Sequence, residues 1–364
     1  MRKNLLLTLL LILSLPTFIA CSDDDSPTDP GTGGESTNVK IITENVTQPT
    51  IWYSDTIYVI KKYDFYVEAS LQIQPGTVIK FHPTDGPYLV LGSNGTIIAN
   101  GTSTNPIIFT SYKDDSHGGD TNGDGAITQP AKGDWLDINL NDQNGSIFNY
   151  CEFYYGGNGS YNYTLTLFGT MNVHVTNCTF AHNIGGKSGD FYYGALDASE
   201  AESGTVITGN IFYDNNLPLS ISTEFNLDKS NVFHDPDNPT TTNTMNGIFV
   251  YAISEISKSI AWYEDEVAFV ISDNDLWVEN SSTISVYDNV VVKFTPSSEL
   301  LVESGSQINY GSNVYFTSFK DDTHGGDTNG DGAISSPGNG DWGGIYDDDA
   351  SDYYSWSNIH YDSH

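Results

Sequence analysis

The sequence predicts an all-β chain wound as a solenoid, on three observations. Its 364 residues hold 23 Tyr, 17 Phe and 35 Gly against 13 Lys plus Arg and 3 Met, so strand and turn formers outweigh the residues that favour helices. Its apolar runs are short and bounded by Gly, Asn, Asp or Pro, as in Thr77-Val78-Ile79-Lys80-Phe81, Tyr88-Leu89-Val90-Leu91, Gly95-Thr96-Ile97-Ile98 and Pro106-Ile107-Ile108-Phe109. No stretch of ten residues beyond the N-terminal leader has helical periodicity. Finally, an Asn/Cys-x-Phe triplet recurs at Cys151-Glu152-Phe153, Cys178-Thr179-Phe180, Asn210-Ile211-Phe212 and Asn231-Val232-Phe233, with Asn358-Ile359-His360 as a late variant. Spacings of 27, 32 and 21 residues suit one triplet per coil. Stacked coils would place Phe over Phe in the core and Asn over Asn at a turn, about 4.8 Å apart. An array of β-sandwiches leaves that ladder unexplained.

In chain order, Met1-Arg2-Lys3 is a basic start and Leu5 to Leu15 an apolar run too short to span a bilayer. Phe18-Ile19-Ala20-Cys21 then resembles a bacterial lipobox, which makes 1–20 a lipoprotein signal peptide and Cys21 the lipidated first residue. Residues 21–38, with Asp23-Asp24-Asp25 and a Pro/Gly/Ser/Thr stretch, have no core-forming composition and read as a flexible acidic tether. An acidic run directly after the lipidated cysteine is similar to the surface-export signal of Bacteroidetes lipoproteins. The expectation is an outer-membrane lipoprotein exposed on the cell surface, touching the membrane only through its lipid.

Residues 39–364 form the solenoid, and self-comparison divides it. Phe109–Ile127 (FTSYKDDSHGGDTNGDGAI) and Phe316–Ile334 (FTSFKDDTHGGDTNGDGAI) agree at seventeen of nineteen positions, 207 residues apart. Both continue to Gly-Asp-Trp, at Gly133-Asp134-Trp135 and Gly340-Asp341-Trp342. Upstream, Trp52-Tyr53 matches Trp262-Tyr263, and Val78-Ile79-Lys80-Phe81 matches Val291-Val292-Lys293-Phe294. Related units thus lie at about 45–155 and 255–364, with middle coils at 156–254.

The Pro75–Phe81 run PGTVIKF, the Asn105–Ser111 run NPIIFTS and coils ending in NxFxxN carry a resemblance. The chain resembles the right-handed parallel β-helix proteins of the pectate-lyase-like superfamily. The resemblance implies a right-handed parallel β-helix with long loop insertions. It implies no single activity, because one fold carries many sites.

Charge narrows the function. Acidic residues number 47 and the formal net charge is −34; the single arginine, Arg2, lies in the leader. Nucleic-acid binding needs a basic face that this chain does not have, and no guanidinium remains to grip a carboxylate bidentately.

The motif richest in chemistry is the duplicated loop. Asp120, Asn122 and Asp124, with Gly125 next and the Ala126 carbonyl after it, present alternating oxygens around a tight turn; Asp327, Asn329, Asp331 and Ala333 repeat them. This resembles the first half of an EF-hand, dockerin or thrombospondin type 3 calcium loop, in which such oxygens converge on one ion. Position 12 is Ala131 or Gly338 rather than Glu. The nearby carboxylates of Asp114, Asp115 and Asp134, and of Asp321, Asp322 and Asp341, are candidates to complete two structural Ca2+ shells. A metal-free Gly/Asp/Asn turn is the plainer alternative. His117 and His324 flank the loops, but an oxygen-rich set suits a hard cation better than zinc.

Cys151 and Cys178 occupy one place in successive coils, where a disulfide and a reduced thiol stack are equally open. Lys187, Asp190 and Asp197, with Glu200 and Glu202, lie in or beside the 182–197 excursion and are the weak catalytic candidates; none sits in a specific motif. Tyr154, Tyr155, Tyr161, Tyr192 and Tyr193 are candidates for a binding face, since such rings stack on sugars. Two hypotheses remain. One is a calcium-stabilised, non-enzymatic surface β-helix that binds a glycan or a cell-surface protein. The other is a polysaccharide lyase or glycoside hydrolase.

Overall fold

The computed structural model describes residues 38–83, 86–189, 191–296 and 298–364. The expected signal peptide and Cys21, nearly all of the expected tether, and Asp190 lie outside them. The described chain is all-β and coils as a parallel β-helix with three faces. The first face is a seven-stranded sheet running from Asn38–Ile42 to Ile211–Tyr213. The second has ten strands, from Asp64–Val67 to Tyr315–Ser318, and is the one sheet shared by both related units. The third has six strands, from Thr50–Trp52 to Val206–Thr208. A three-stranded and a four-stranded sheet flank the second face through the later coils.

The coils wind because alternate residues point inward. Ser70–Ile73 buries Leu71 and Ile73 and exposes Ser70 and Gln72, the period of a strand with one solvated side. The expected phenylalanine ladder is present. Ring centroids lie 4.9 Å apart for Phe109 and Phe153, 4.6 Å for Phe153 and Phe180, and 5.3 Å for both Phe180–Phe212 and Phe212–Phe233. Each stacked pair adds about 0.5–1.5 kcal/mol beyond its buried area.

The corner before each triplet explains the sequence there. Tyr150, Asn177 and Gly209 precede Cys151, Cys178 and Asn210, and take φ of 47°, 53° and 68°; that left-handed bend is easiest for Gly and Asn. Asn210 Nδ2 donates to Asn231 Oδ1 at 3.0 Å, the expected Asn-over-Asn contact. A second asparagine ladder, Asn183–Asn215–Asn243, runs along the opposite end of the same strands with 3.0 and 2.9 Å bonds. These ladders satisfy corner backbone groups that would otherwise be buried without partners. Cys151 and Cys178 are free and fully buried, donating to Ala99 O and Phe148 O. Burial pushes the Cys151 thiol well up, with its neighbour Cys178 adding to the effect.

The two related units share a fold but not a face. Val78–Phe81 and Ile107–Ser111 belong to the first face, whereas their counterparts Val291–Phe294 and Tyr315–Ser318 belong to the second. The second copy is carried one face further round the solenoid.

Candidate functional site

Each duplicated loop leaves the sheet after its FTS strand, folds back over the outer surface and returns at its Gly-Asp-Trp. The tryptophan makes the return rigid. Trp135 stacks on Phe81 at 4.0 Å and Trp342 on Phe294 at 4.1 Å, both fully buried, with the indole N–H donated to Tyr154 O or His360 O at 2.8 Å. Gly118 and Gly325, at φ of 73° and 67°, lie so close to Ile57 and Ala268 that a Cβ would stand 2.8 Å from them.

Beneath each loop lies a lysine that sequence reading passed over. Lys80 and Lys293 face outward from their strands, next to Thr110 and Thr317 in register, and the loop buries them completely. Lys80 Nζ donates to Asp114 O and Gly119 O at 2.8 Å and to Thr121 Oγ1 at 3.0 Å. Lys293 Nζ donates to Gly326 O and Thr328 Oγ1. Burial pulls the Lys293 ammonium down to about 8, against the field of Asp321, Asp322 and Asp327; burial lowers Lys80 in the same way. The available signal was a lysine repeated inside an otherwise apolar strand in both copies.

The carboxylates divide into three jobs. Asp114 and Asp321 are buried; each accepts from a threonine (Thr110, 2.6 Å; Thr317, 2.7 Å) and sits against a histidine Nδ1 (His117, 2.6 Å; His324, 2.8 Å). Burial would raise both carboxyls, but bonds from His117, Ser116 and Thr110 hold Asp114 well below the usual range, and bonds from Thr323, Thr317 and His324 lower Asp321. Asp134 and Asp341 pair with Lys113 and Lys320 at 2.7 and 2.8 Å and cap the loop foot through Ala131 N and Gly338 N. The structure therefore places these two outside the turn cluster.

Asp115, Asp120 and Asp124 do converge, with ligand oxygens all within 4.8 Å of one another. Asp120 already accepts from Gly123 N and Gly125 N at 2.7 and 2.8 Å, and Asp327 does the same with Gly330 N and Gly332 N. Bonds to the backbone, Gly125 N first, depress the Asp120 carboxyl. Asn122 aims its amide N–H at Asp124 Oδ2 at 3.2 Å, and Asn329 aims at Asp331 Oδ2 at 3.3 Å. Ala126 O accepts only a 3.5 Å contact from Gln129. Asp115 Oδ1 and Asp322 Oδ1 are buried without a hydrogen-bond partner. Burial, then the charges of Asp327 and Asp331, raise the Asp322 carboxyl despite Lys293. An orphaned carboxylate oxygen facing other carboxylates is the donor set a hard cation fits.

The binding-face candidates separate. Tyr154 ends the Cys151–Tyr154 strand of the first face and Tyr155 follows it; their rings stack on His117 (5.1 Å) and His182 (5.4 Å). Tyr192 packs on Phe249 at 4.8 Å within a small apolar cluster under the second loop. Lys187 pairs with Asp273 at 2.8 Å. Tyr161 and Tyr193 meet, with ring centroids 5.4 Å apart, and Tyr163 and Tyr251 join them.

Those four tyrosines and Phe168 wall a groove of about 380 Å3 on the outer side of the second face, with Asp197 and Glu200 in its lining. Asp197 is held by Thr166 Oγ1 and Ser220 Oγ, both at 2.8 Å, and by Ser199 N at 3.1 Å. Burial raises the Glu200 carboxyl, aided by Asp197 and Asp142. Burial alone pushes Asp137 up to about 7. Burial, followed by the fields of Asp137 and Asp197, keeps the Tyr163 phenol neutral. Tyr163 and Tyr251 are 88 residues apart in sequence and converge only because coils stack. The arrangement offers ring faces for stacking and fixed acceptors for hydroxyl groups.

A family model described as a pectate-lyase like beta helix domain matches residues 44–161. No curated protein and no solved structure matches the chain.

Proposed function

We propose that this protein is a glycan-binding β-helix, non-enzymatic, displayed on the cell surface by a lipid on Cys21 and braced by calcium in its two loops. The groove of Tyr161, Tyr163, Tyr193 and Tyr251 is the observation that carries the binding reading. Several ring faces beside carboxylate acceptors form the chemistry that recognises sugar rings and their hydroxyls. In the loops, Asp115, Asp120 and Asp124 would hold a Ca2+, with Asp322, Asp327 and Asp331 as the second set; the ion would offset the crowded carboxylates and pin each excursion to its coil.

One observation favours an enzyme instead. Burial pushes the Asp137 carboxyl up to about 7 and its field reaches Tyr163 of the groove wall, which makes it the group to test as a general acid. Binding of a polysaccharide panel to the wild type and to Tyr163→Ala and Tyr251→Ala, scored with release of reducing ends or unsaturated uronates, separates the readings. The expected result is binding without product, weakened about tenfold in either variant. Product formation abolished by Asp137→Asn would establish the enzyme.

A further inference from the structure

The tyrosine groove does not end at Glu200. Ser199 and Glu200 are also the near wall of a cleft of about 660 Å3 that includes Glu202, Glu224 and Lys258. That cleft shares Ile253 and Ser254 with a third, of about 350 Å3, reaching Asp275 and Trp277. All three follow the corner after the second face through six successive coils, whose strands Ile138–Asn139, Leu165–Thr166, Leu196–Ala198, Leu219–Ser222, Gly247–Tyr251 and Ala268–Ile271 are hydrogen-bonded in that order. Five strand spacings give the track a length of roughly 24 Å. At its far end Leu276 and Val278 point inward while Trp277 is 40% exposed.

The charge of the lining is one-sided. Asp197, Glu200, Glu202, Glu224, Glu255 and Asp275 border the track, and its lysine, Lys258, is paired with Glu224 at 2.9 Å. A chain bearing a carboxylate on each sugar would bring like charges along the whole row, with no arginine in the described residues to receive them. Hydroxyl groups, by contrast, donate well to fixed carboxylates.

We infer that the track binds an extended glycan without acidic groups, stacked on Tyr161, Tyr163 and Tyr193 over its earlier coils and on Trp277 at its last. This rests on the glycan reading of the groove and adds chain length and charge to it. A polyuronate would set its own carboxylates against this acidic lining.

The test is calorimetric titration of the full chain with neutral gluco- and manno-oligosaccharides from dimer to octamer, and with oligogalacturonides of the same lengths in calcium-containing buffer. Affinity for a neutral series is expected to rise with length. Trp277→Ala should cost the octamer about five- to tenfold and leave the dimer unchanged, whereas Tyr163→Ala should weaken both. Oligogalacturonides binding as tightly as the neutral chains, or an octamer indifferent to Trp277→Ala, would overturn the inference. Dimers that bind and are lost in Tyr163→Ala, without any gain on lengthening, would leave the groove standing and remove the track. Absence of binding by every oligosaccharide removes both.

Discussion

The two copies of the loop are nearly identical in sequence and differ in where they stand. The first closes over the first face and the second over the second face, yet the same four contacts recur: a buried lysine under the loop, a threonine–aspartate–histidine set at its start, an aspartate–lysine pair at its foot and a tryptophan returned to the core. A pair of adjacent parallel strands plus the loop is therefore a self-contained module, indifferent to which face it occupies. The copies part company immediately after the tryptophan. Trp135-Leu136-Asp137 delivers a buried carboxyl behind the tyrosine groove, whereas Trp342-Gly343-Gly344 delivers none. The loops are common to both copies, while the groove adjoins the first alone.

The largest expected effect tests the shared part. Trp135→Ala and Trp342→Ala should each lose about 3–5 kcal/mol in chemical denaturation, the range for deleting a buried aromatic ring. A loss below about 1 kcal/mol in one of them would show that the modules are not equivalent.

Metal removal comes next. With calcium at about a hundred times its dissociation constant, chelation should cost about 2–3 kcal/mol per loop and lower the melting midpoint. Asp120→Asn and Asp327→Asn should each remove part of that response, Asp120→Asn the larger, because its three carboxylates converge more closely. A midpoint that chelator does not move sinks the calcium assignment.

A pH-dependent effect concerns the part that differs. Burial raises Asp137 from its ordinary 3.8 to about 7, so the folded state binds the proton more tightly than the unfolded one. Stability is then lost as pH climbs through that window, and the penalty persists above it. Asp137→Asn should gain up to about 4 kcal/mol at pH 8 and nothing below pH 4. A gain independent of pH would mean that the carboxyl is not the titrating group.

The solenoid was legible because its period lies in single residues. Phe153, Phe180, Phe212 and Phe233 each mark a coil, and each stacks on the next. Even the late triplet holds, with Ile359 bridging to Phe316 and Asn358 donating to Val314 O. The site was legible in pieces. Tyr161 with Tyr163, Tyr193 and Asp197 were legible as aromatic and acidic candidates, but Tyr251 joins them only through the register of stacked coils. Tyr154 and Tyr192, equally aromatic in sequence, face elsewhere. Asp134 and Asp341 looked like ligands by proximity in sequence, yet each has a lysine at its own loop foot. Lys80 and Lys293 stand out only as a lysine repeated in an apolar strand, and nothing in that local pattern says that a loop folds back over them.

The most direct measurement is hydrogen–deuterium exchange of the full chain with and without a neutral hexasaccharide. Protection at 137–141, 161–168, 193–200 and around 251, with the two loops at 114–128 and 321–335 unchanged, is the expected result. Protection confined to the loops or to the Tyr154–Tyr155 side would place the site elsewhere and contradict the groove.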